Sequence, residues 1–360
     1  MTDLLALTAS LVDIPSVSDD EAAMVARLEA DLADAPWLEL TRVGDNLVAR
    51  TDLGRSERLI LAGHTDTVPP NGNQRAEIVG DELRGLGAAD MKGGLAVMLE
   101  LARTVAEPAV DLTYLFYARE EIAAARSGLL ELQRDRPDLL VGDAALLGEP
   151  TNSMIEAGCQ GTMRVRIAMG GDRAHTARPW MGRNAIHRIG PLVQAIADEP
   201  ERQPDIQGCR YHEAMQVVRI DGGVAANVVP DHVEVTLNHR FAPDRSPSEA
   251  EAHLRRVVEP HLEPGDEFEV VDVAAGAGPS LDHPLIASLV ARNRLEVRAK
   301  FGWTDVARFA ALGIPAANFG PGDPTIAHTA GEFVTRGDLD AAFAALDDLV
   351  RRGPDPVGAP

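Results

Sequence analysis

The sequence predicts an α/β fold in which a mainly parallel sheet is flanked by helices and an α+β domain is inserted. Short apolar runs bounded by turn residues alternate with helical segments, which is typical of a buried parallel sheet. A middle region instead alternates apolar and polar residues, as half-exposed antiparallel strands do. The chain has 360 residues, more than the roughly 250 to 300 at which one core stops growing. We therefore expect a discontinuous domain of residues 1–161 and 275–360 around an inserted domain of residues 162–274.

Local patterns predict the elements of the first domain. Apolar residues of 2–13 recur at helical spacing, and Pro15 ends this helix because proline disfavours helix in the residue before it. Ser18 and Glu21 match a capping box, which predicts a second helix that runs to about residue 33. The other predicted elements are strands at 59–63, 112–118, 144–148 and 315–319, and helices at 93–105, 129–134 and 284–294.

The inserted region follows a β-α-β-β-α-β order, which predicts a small sheet with helices on one face. Its strands are predicted at 162–169, 214–220, 232–241 and 267–273, and its helices at 184–197 and 248–258. Only the tail 353–360, rich in proline and glycine, is predicted to be disordered.

Charge and composition exclude several classes of protein. The formal net charge of −22 argues against nucleic acid or anionic membrane as a partner, and an anionic substrate would need a local cluster of arginines. No apolar run approaches the roughly 20 residues of a spanning helix. The N-terminal residues lack a basic signal region, and two cysteines are too few for a disulfide framework, so we expect a cytoplasmic protein.

Five potential metal ligands stand just beyond apolar segments along most of the chain. Open α/β sheets place their sites outside the carboxyl ends of the strands, so we expect side chains that follow different strands to meet there. Catalytic zinc takes nitrogen and oxygen ligands and keeps a position open for water. The pattern is typical of a metallohydrolase. The five residues are His64, Asp90, Glu121, Glu149 and His328.

Two further residues suit supporting roles beside these ligands. Asp66 lies two residues after His64 in an extended segment, so it points the same way and can hold the ring by a hydrogen bond. Glu120 adjoins Glu121, and the simplest arrangement of two adjacent carboxylates has one on the metal and the other free as a general base. Taken singly, each feature has another explanation: a solvated turn, a helix N-cap, an exposed acidic turn or a surface histidine.

Together, these motifs resemble the dinuclear zinc metallopeptidase family that includes aminoacylases, acetylornithine deacetylases, glutamate carboxypeptidases and desuccinylases. The resemblance runs nearly the full chain, through HTDTVP at 64–69, GAADMKGG at 87–94, the glutamate pair at 120–121, GEPT at 148–151 and the histidine at 328.

The resemblance implies two zinc ions per subunit, for which Co²⁺ would be a substitute. It implies that Asp66 orients a ligand and that Glu120 moves a proton from water to the leaving amine. One zinc would be held by His64, Asp90 and Glu149, and the other by Asp90, Glu121 and His328.

Within the insertion, residues 170–179 resemble the family's lid motif, whose histidine reaches across a dimer. This implies a homodimer in which His175 acts in trans and donates a hydrogen bond to the oxyanion. Residues 301–309 resemble the substrate-binding turn of actinobacterial desuccinylases of the family. The residues implied to bind substrate are Arg178, Asn227, Arg240 and Thr304.

The two arginines can pair with carboxylates in bidentate fashion, which favours a small anionic N-acyl amino acid as the substrate. The resemblance implies zinc-dependent hydrolysis of N-succinyl-LL-2,6-diaminopimelate to succinate and LL-2,6-diaminopimelate, in the synthesis of lysine and peptidoglycan precursors. One alternative is an acetylornithine deacetylase or another aminoacylase-type amide hydrolase. An alternative of another class is a non-catalytic zinc-dependent binding or scaffold protein, although a binder needs no free base such as Glu120.

Overall fold

The computed structural model describes residues 2–355 and divides them into two units. The first comprises residues 2–157, Ser280–Arg298 and 308–355, and the second comprises Gly158–Pro279 and Ala299–Ala307. Residues 158–161, 275–279 and 299–307, expected within the first domain, belong to the second unit. Trp303 Nε1 donates to the carbonyl of Ala275 at 3.1 Å, which connects two of these segments. Of the tail predicted to be disordered, residues 356–360 lie outside the described residues.

Helices form at the predicted segments, and two further helices form at Val306–Ala311 and Arg336–Arg352. The N-terminus of the first helix is capped by Asp3, whose carboxylate accepts the backbone N–H groups of Leu5 and Ala6. Within residues 2–355, no helix is long and apolar enough to cross a bilayer. The helices are α1 (Leu4–Val12), α2 (Ala22–Leu32), α3 (Gly93–Thr104), α4 (Gly128–Asp135), α5 (Ala185–Asp198), α6 (Pro247–Val258), α7 (Pro284–Asn293), α8 (Val306–Ala311) and α9 (Arg336–Arg352).

The capping box predicted at Ser18 is wrong. Helix α2 begins at Ala22, and its N-cap residue Glu21 makes no side-chain cap bond. Ser18 Oγ instead donates to Asp66 Oδ2 at 2.6 Å, and Glu21 Oε1 accepts the backbone N–H of Arg119 at 3.1 Å. Both side chains therefore stabilise contacts with distant segments, which a local four-residue pattern does not reveal.

The strands include all those predicted and several short ones that the sequence did not suggest. They are β1 (Glu39–Val43), β2 (Asn46–Arg50), β3 (Arg58–His64), β4 (Glu77–Val79), β5 (Glu82–Arg84), β6 (Asp111–Tyr117), β7 (Ala144–Leu147), β8 (Ile155–Ala157), β9 (Gly161–Gly170), β10 (Asp205–Ile206), β11 (Cys209–Arg210), β12 (Ala214–Gly222), β13 (His232–Phe241), β14 (Glu267–Ala274), β15 (Val297–Ala299), β16 (Ala316–Asn318) and β17 (Phe333–Thr335).

The large sheet has the strand order β1-β2-β6-β3-β7-β16-β8-β15. Its centre, β6-β3-β7-β16, is parallel, whereas β1 pairs antiparallel with β2, β2 with β6, and β8 with β16. The α/β class is thus confirmed, with a sheet that is mixed and parallel only in its middle. Every residue of β6 is buried, as expected for a strand covered on both faces.

Register aligns the carboxyl ends of the central strands. His64, the last residue of β3, pairs with Tyr117 of β6, and Ala62 of β3 pairs with Leu147 of β7. The segments that begin after residues 64, 117 and 147 therefore start at one edge of the sheet, where a site is expected.

The second unit contains an antiparallel sheet of order β12-β13-β9-β14. Alternate side chains of β9 and β13 form an apolar core with α5 and α6. The predicted β-α-β-β-α-β order is that of β9, α5, β12, β13, α6 and β14. Along β13, His232 pairs with Gly170 at one end and Arg240 pairs with Thr162 near the other.

Candidate metal centre

Four of the predicted metal ligands lie together beyond the carboxyl edge of the large sheet. His64 Nε2 lies 3.1 Å from Asp90 Oδ1, and His328 Nε2 lies 3.4 Å from Asp90 Oδ2. His328 Nε2 also lies 2.7 Å from Glu121 Oε1. The ligand atoms of His64, Asp90 and Glu121 all lie within 4.8 Å of one another. The two oxygens of Asp90 thus face two different imidazoles.

Glu149, the fifth predicted ligand, follows β7 at the same edge. It comes two residues after Leu147, and His64 comes two residues after Ala62, the register partner of Leu147. Its side chain is buried, but it does not belong to the group of ligand atoms within 4.8 Å.

Asp90 is presented by a break in a helical segment. Residues Ala88–Lys92 form a short helical turn, but Asp90 has extended dihedrals of φ −116° and ψ 92°. Gly87 has φ +76°, and a Cβ built on it would lie 2.8 Å from the Thr67 side chain, so this turn requires glycine. The break lifts Asp90 off the helical path immediately before α3 begins.

Asp66 contacts both His64 and the glutamate pair. Its carboxylate accepts the backbone N–H of Glu120 at 3.0 Å and that of Glu121 at 3.1 Å. His64 Nδ1 lies 3.0 Å from the backbone carbonyl of Asp66 and 3.5 Å from its Oδ1. These contacts turn Nε2 of the ring towards Asp90.

The electrostatics of the site favour positive charge. The carboxylates of Asp90 and Glu121 accept hydrogen bonds from the His328 ring and raise its pKa to about 10. Burial alone would lower the pKa of His64, yet Asp66 and Asp90 hold it well above its usual range. Burial alone would raise the pKa of the Asp90 carboxyl, but the two histidines hold it well below its usual range. A divalent cation would take the place of the protons on these rings.

The donor set fits zinc. Imidazole nitrogens and carboxylate oxygens are the ligands of catalytic zinc, whereas calcium and magnesium take sites made of oxygen alone. Asp90 is suited to contact two ions because its oxygens point to opposite histidines.

The predicted substrate residues of the second unit fall into two groups. His175, Arg178 and Asn227 are tied together, since Thr176 N–H donates to the Asn227 carbonyl at 3.0 Å and Arg178 N–H donates to the His175 carbonyl at 2.8 Å. These residues lie by the His232 end of β13, because His175 forms a bridge with Val228.

The second group lies at the far end of the same strand. Arg240 pairs with Thr162 at the start of β9, and the sulfur of Cys159 lies 3.7 Å from the carbonyl of Thr304. At about 3.3 Å per residue, the ten residues of β13 span about 30 Å. One small molecule therefore does not reach both groups of a single chain.

Sequence reasoning missed two residues that support the centre. Ser18 donates to Asp66, and Glu332 accepts backbone N–H groups from the segment that carries Asp90. The only signal for Glu332 was a carboxylate four residues after His328. It is 1% exposed, which a sequence pattern did not indicate.

Residues 60–352 match the model described as peptidase family M20/M25/M40. The chain belongs to this family. The M20/M25/M40 match spans all five predicted ligands, so the resemblance inferred from the motifs is confirmed.

Two relatives of the chain carry the same functional name. It is 51% identical over 351 residues to a Mycobacterium tuberculosis protein with the provisional name succinyl-diaminopimelate desuccinylase DapE, with 97% of each chain covered. It is 43% identical over 332 residues to succinyl-diaminopimelate desuccinylase of Corynebacterium glutamicum, with 91% of this chain and 90% of that one covered. The M20/M25/M40 fold also matches the crystal structure of aminopeptidase PepT from Bacillus cereus, with a TM-score of 0.78, 21% identity and 97% of both chains covered.

Proposed function

We propose that this protein hydrolyses the N-succinyl amide of N-succinyl-LL-2,6-diaminopimelate in a zinc-dependent reaction. The single observation that carries the hydrolytic part is the position of Asp90, whose two oxygens face His64 and His328 beside the glutamate pair. The substrate is inferred from the two relatives named as succinyl-diaminopimelate desuccinylases. The products are succinate and LL-2,6-diaminopimelate, a precursor of lysine and peptidoglycan.

Two zinc ions would be held at this site, with Asp90 shared between them. Bound zinc would supply a Lewis acid for the amide carbonyl and would lower the pKa of the attacking water. The ligands of one ion would be His64, Asp90 and Glu149, and those of the other would be Asp90, Glu121 and His328.

Glu120 is the proposed general base and acid. Its backbone N–H is held by Asp66, next to Glu121, so its carboxylate starts from a fixed backbone position beside the ligands. It would take a proton from the attacking water and give it to the amine as the amide C–N bond breaks. Asp66 would hold the imidazole of His64 as well as this turn.

Recognition of the anionic substrate would depend on arginine. The overall charge of −22 repels an anion, so the carboxylates of the substrate need local positive partners. Arg178 and Arg240 offer planar forks that bind carboxylates in bidentate fashion, and Asn227 and Thr304 would add hydrogen bonds.

A homodimer is supported by the separation of these residues. His175 and Asn227 lie about 30 Å along β13 from Arg240, so the two groups would act on different substrate molecules. In a dimer, His175 would reach the partner's site and donate a hydrogen bond to the oxyanion. Its Nδ1 accepts the backbone N–H of Ala177 at 3.0 Å, which leaves the proton of a neutral ring on Nε2.

We place this reaction in the cytoplasm, without a nucleic-acid or membrane partner. The charge of −22 argues against these two partners, because nucleic acids and anionic bilayers attract basic surfaces.

Hydrolysis rates of the zinc-loaded protein on a small panel of acyl amino acids test the proposal. We expect N-succinyl-LL-2,6-diaminopimelate to be cleaved with a higher kcat/KM than N-acetylornithine. A preference for the acetyl substrate would instead identify an acetylornithine deacetylase or another aminoacylase-type enzyme. Tight zinc binding without cleavage of any member would indicate a binding or scaffold protein.

A further inference from the structure

The backbone of residues 87–90, the segment that carries Asp90, is hydrogen-bonded to the buried side chain of Glu332. Glu332 Oε1 accepts the backbone N–H groups of Ala89 and Asp90, each at 3.0 Å, and its Oε2 accepts that of Gly87 at 3.1 Å. Three donors of one turn thus converge on a single carboxylate. Hydrogen bonds to an ionised acceptor are roughly twice as strong as neutral ones.

The backbone of Glu332 is hydrogen-bonded through both its carbonyl and its N–H group. Its side chain is 1% exposed, its backbone carbonyl accepts the N–H of Gly85 at 3.2 Å, and its own N–H donates to Thr329. The next residues form β17, which pairs with β5. The carboxylate therefore has little freedom to move away from the turn above it.

The position of Glu332 also connects two ligands. It follows His328 by four residues, and its carboxylate holds the backbone of Asp90. A shift of Glu332 would change the relation of His328 to Asp90 Oδ2, now 3.4 Å apart. Glu332 does not belong to the cluster of ligand atoms, so it acts on the site through the backbone of residues 87–90.

We propose that Glu332 is a positioning residue that fixes the backbone of Asp90 so that its carboxylate stays between His64 and His328. The inference rests on the proposed metal centre, because it assigns Glu332 a role in metal affinity. Groups that orient metal ligands typically contribute about 10- to 100-fold in metal affinity when they are removed.

Glu332→Gln is the sharpest test, since it replaces one carboxylate oxygen by an NH₂ group of similar size and removes the negative charge. The amide can retain one acceptor for part of the turn, but its NH₂ group cannot accept the remaining N–H. We expect zinc to bind the metal-stripped variant about 10- to 100-fold more weakly than it binds the stripped parent, measured by titration calorimetry.

Asp111→Asn is the matched control. Asp111 is also buried and accepts two backbone N–H groups, those of Leu53 and Arg55, both at 2.8 Å, at the other end of β6 from the glutamate pair. Both variants should lose stability to denaturant in the metal-free form. Only Glu332→Gln should lose zinc affinity.

Four outcomes would overturn the inference or separate it from the proposed function. Parent-like zinc affinity in Glu332→Gln, or equal loss of affinity in both variants, would show that Glu332 is only a stabilising residue. A parent protein that binds no divalent cation would instead contradict the proposed metal centre itself. Should Glu332→Gln not fold, Glu332→Asp keeps the charge with a shorter reach, and parent-like zinc affinity there would overturn the inference.

Discussion

The carboxylate of Asp66 accepts the backbone N–H of Glu120 at 3.0 Å. The same carboxylate accepts the N–H of Glu121 at 3.1 Å and the hydroxyl proton of Ser18 at 2.6 Å. Burial alone would raise the pKa of Asp66, but bonds from His64, Ser18 and Glu120 lower it to about 2. Asp66 is therefore an ionised acceptor at neutral pH, and it connects the first histidine to the glutamate pair.

Asp66→Asn should impair the centre without changing the fold. The asparagine side chain has only one acceptor oxygen. Its NH₂ group cannot accept a backbone N–H, so at least one N–H of the turn at Glu120 and Glu121 loses its acceptor. We expect kcat/KM and zinc affinity to fall about 10- to 100-fold. Ser18→Ala is the milder comparison, since it removes a single donor to Asp66. Equal kinetics for Asp66→Asn and the parent would contradict this role.

Glu120→Ala should separate metal binding from turnover. Glu120 is the proposed proton carrier and not a ligand, so the variant should keep its zinc while kcat falls about 10²- to 10⁴-fold. Glu121→Ala is the matched control on the neighbouring residue, and it should lose zinc because Glu121 contacts the cluster. Metal analysis and steady-state kinetics on the same samples distinguish the two. Retained turnover in Glu120→Ala would remove this residue from the mechanism.

The residues that local pattern could predict are those that end a strand or begin a helix. His64 ends β3, the glutamate pair follows β6, Glu149 follows β7, and the segment of Asp90 precedes α3. Each lies next to an apolar run, and parallel strands bring their carboxyl ends to one edge. That rule is sufficient to predict that distant segments meet.

Residues that act through long-range hydrogen bonds could not be predicted in this way. Ser18 is 48 positions from Asp66, and Glu332 is 242 positions from Asp90. Their patterns have a local explanation, as the mistaken capping box at Ser18 illustrates. The short strands β1 and β2 were also missed, although they form a local hairpin in which Val43 pairs with Asn46.

His175→Ala should lower kcat about 10²- to 10³-fold with unchanged zinc content, because it removes the proposed donor to the oxyanion. His187→Ala is the control, since His187 is also exposed and belongs to α5 in the same unit.

Complementation tests whether His175 acts in the partner's site. Mixed dimers of His175→Ala with Glu120→Ala contain one site with both residues intact, so the mixture should recover activity. Mixed dimers that form but stay inactive would contradict action in trans.

His239 should make stability depend on pH. Burial, with the nearby His253 and Arg245, lowers the pKa of His239 to about 3, well below its ordinary 6.5. At a pH between about 3 and 6.5, His239 binds a proton in the unfolded chain but stays neutral in the folded one. Protonation therefore favours the unfolded chain, and stability falls progressively as pH falls from about 6.5 towards 3.

Removal of His239 should weaken this dependence. Denaturant unfolding of the metal-free parent and of His239→Phe at about pH 5 and pH 7 measures it. We expect the parent to lose more stability between the two values than the variant does. An equal loss in both would mean that His239 titrates normally in the folded chain.

Gly94→Ala should damage both the fold and the metal centre. A Cβ built on Gly94 of α3 lies 2.2 Å from the carbonyl oxygen of Gly148, so either the helix or the end of β7 must move. Overpacking of this kind typically costs about 1–3 kcal/mol. Because Gly148 precedes Glu149 and α3 follows Asp90, we also expect weaker zinc binding.

Gly190→Ala, the same substitution in helix α5, should instead raise stability. Nothing lies within 4 Å of a Cβ built on Gly190, so alanine should stabilise by about 0.5–1 kcal/mol. Denaturant unfolding gives the sign for both variants, and zinc titration gives the effect on the centre. Gly94→Ala with the stability and zinc affinity of the parent would mean that α3 and the end of β7 move apart freely. The ligands that follow β7 and precede α3 would then not depend on this close approach.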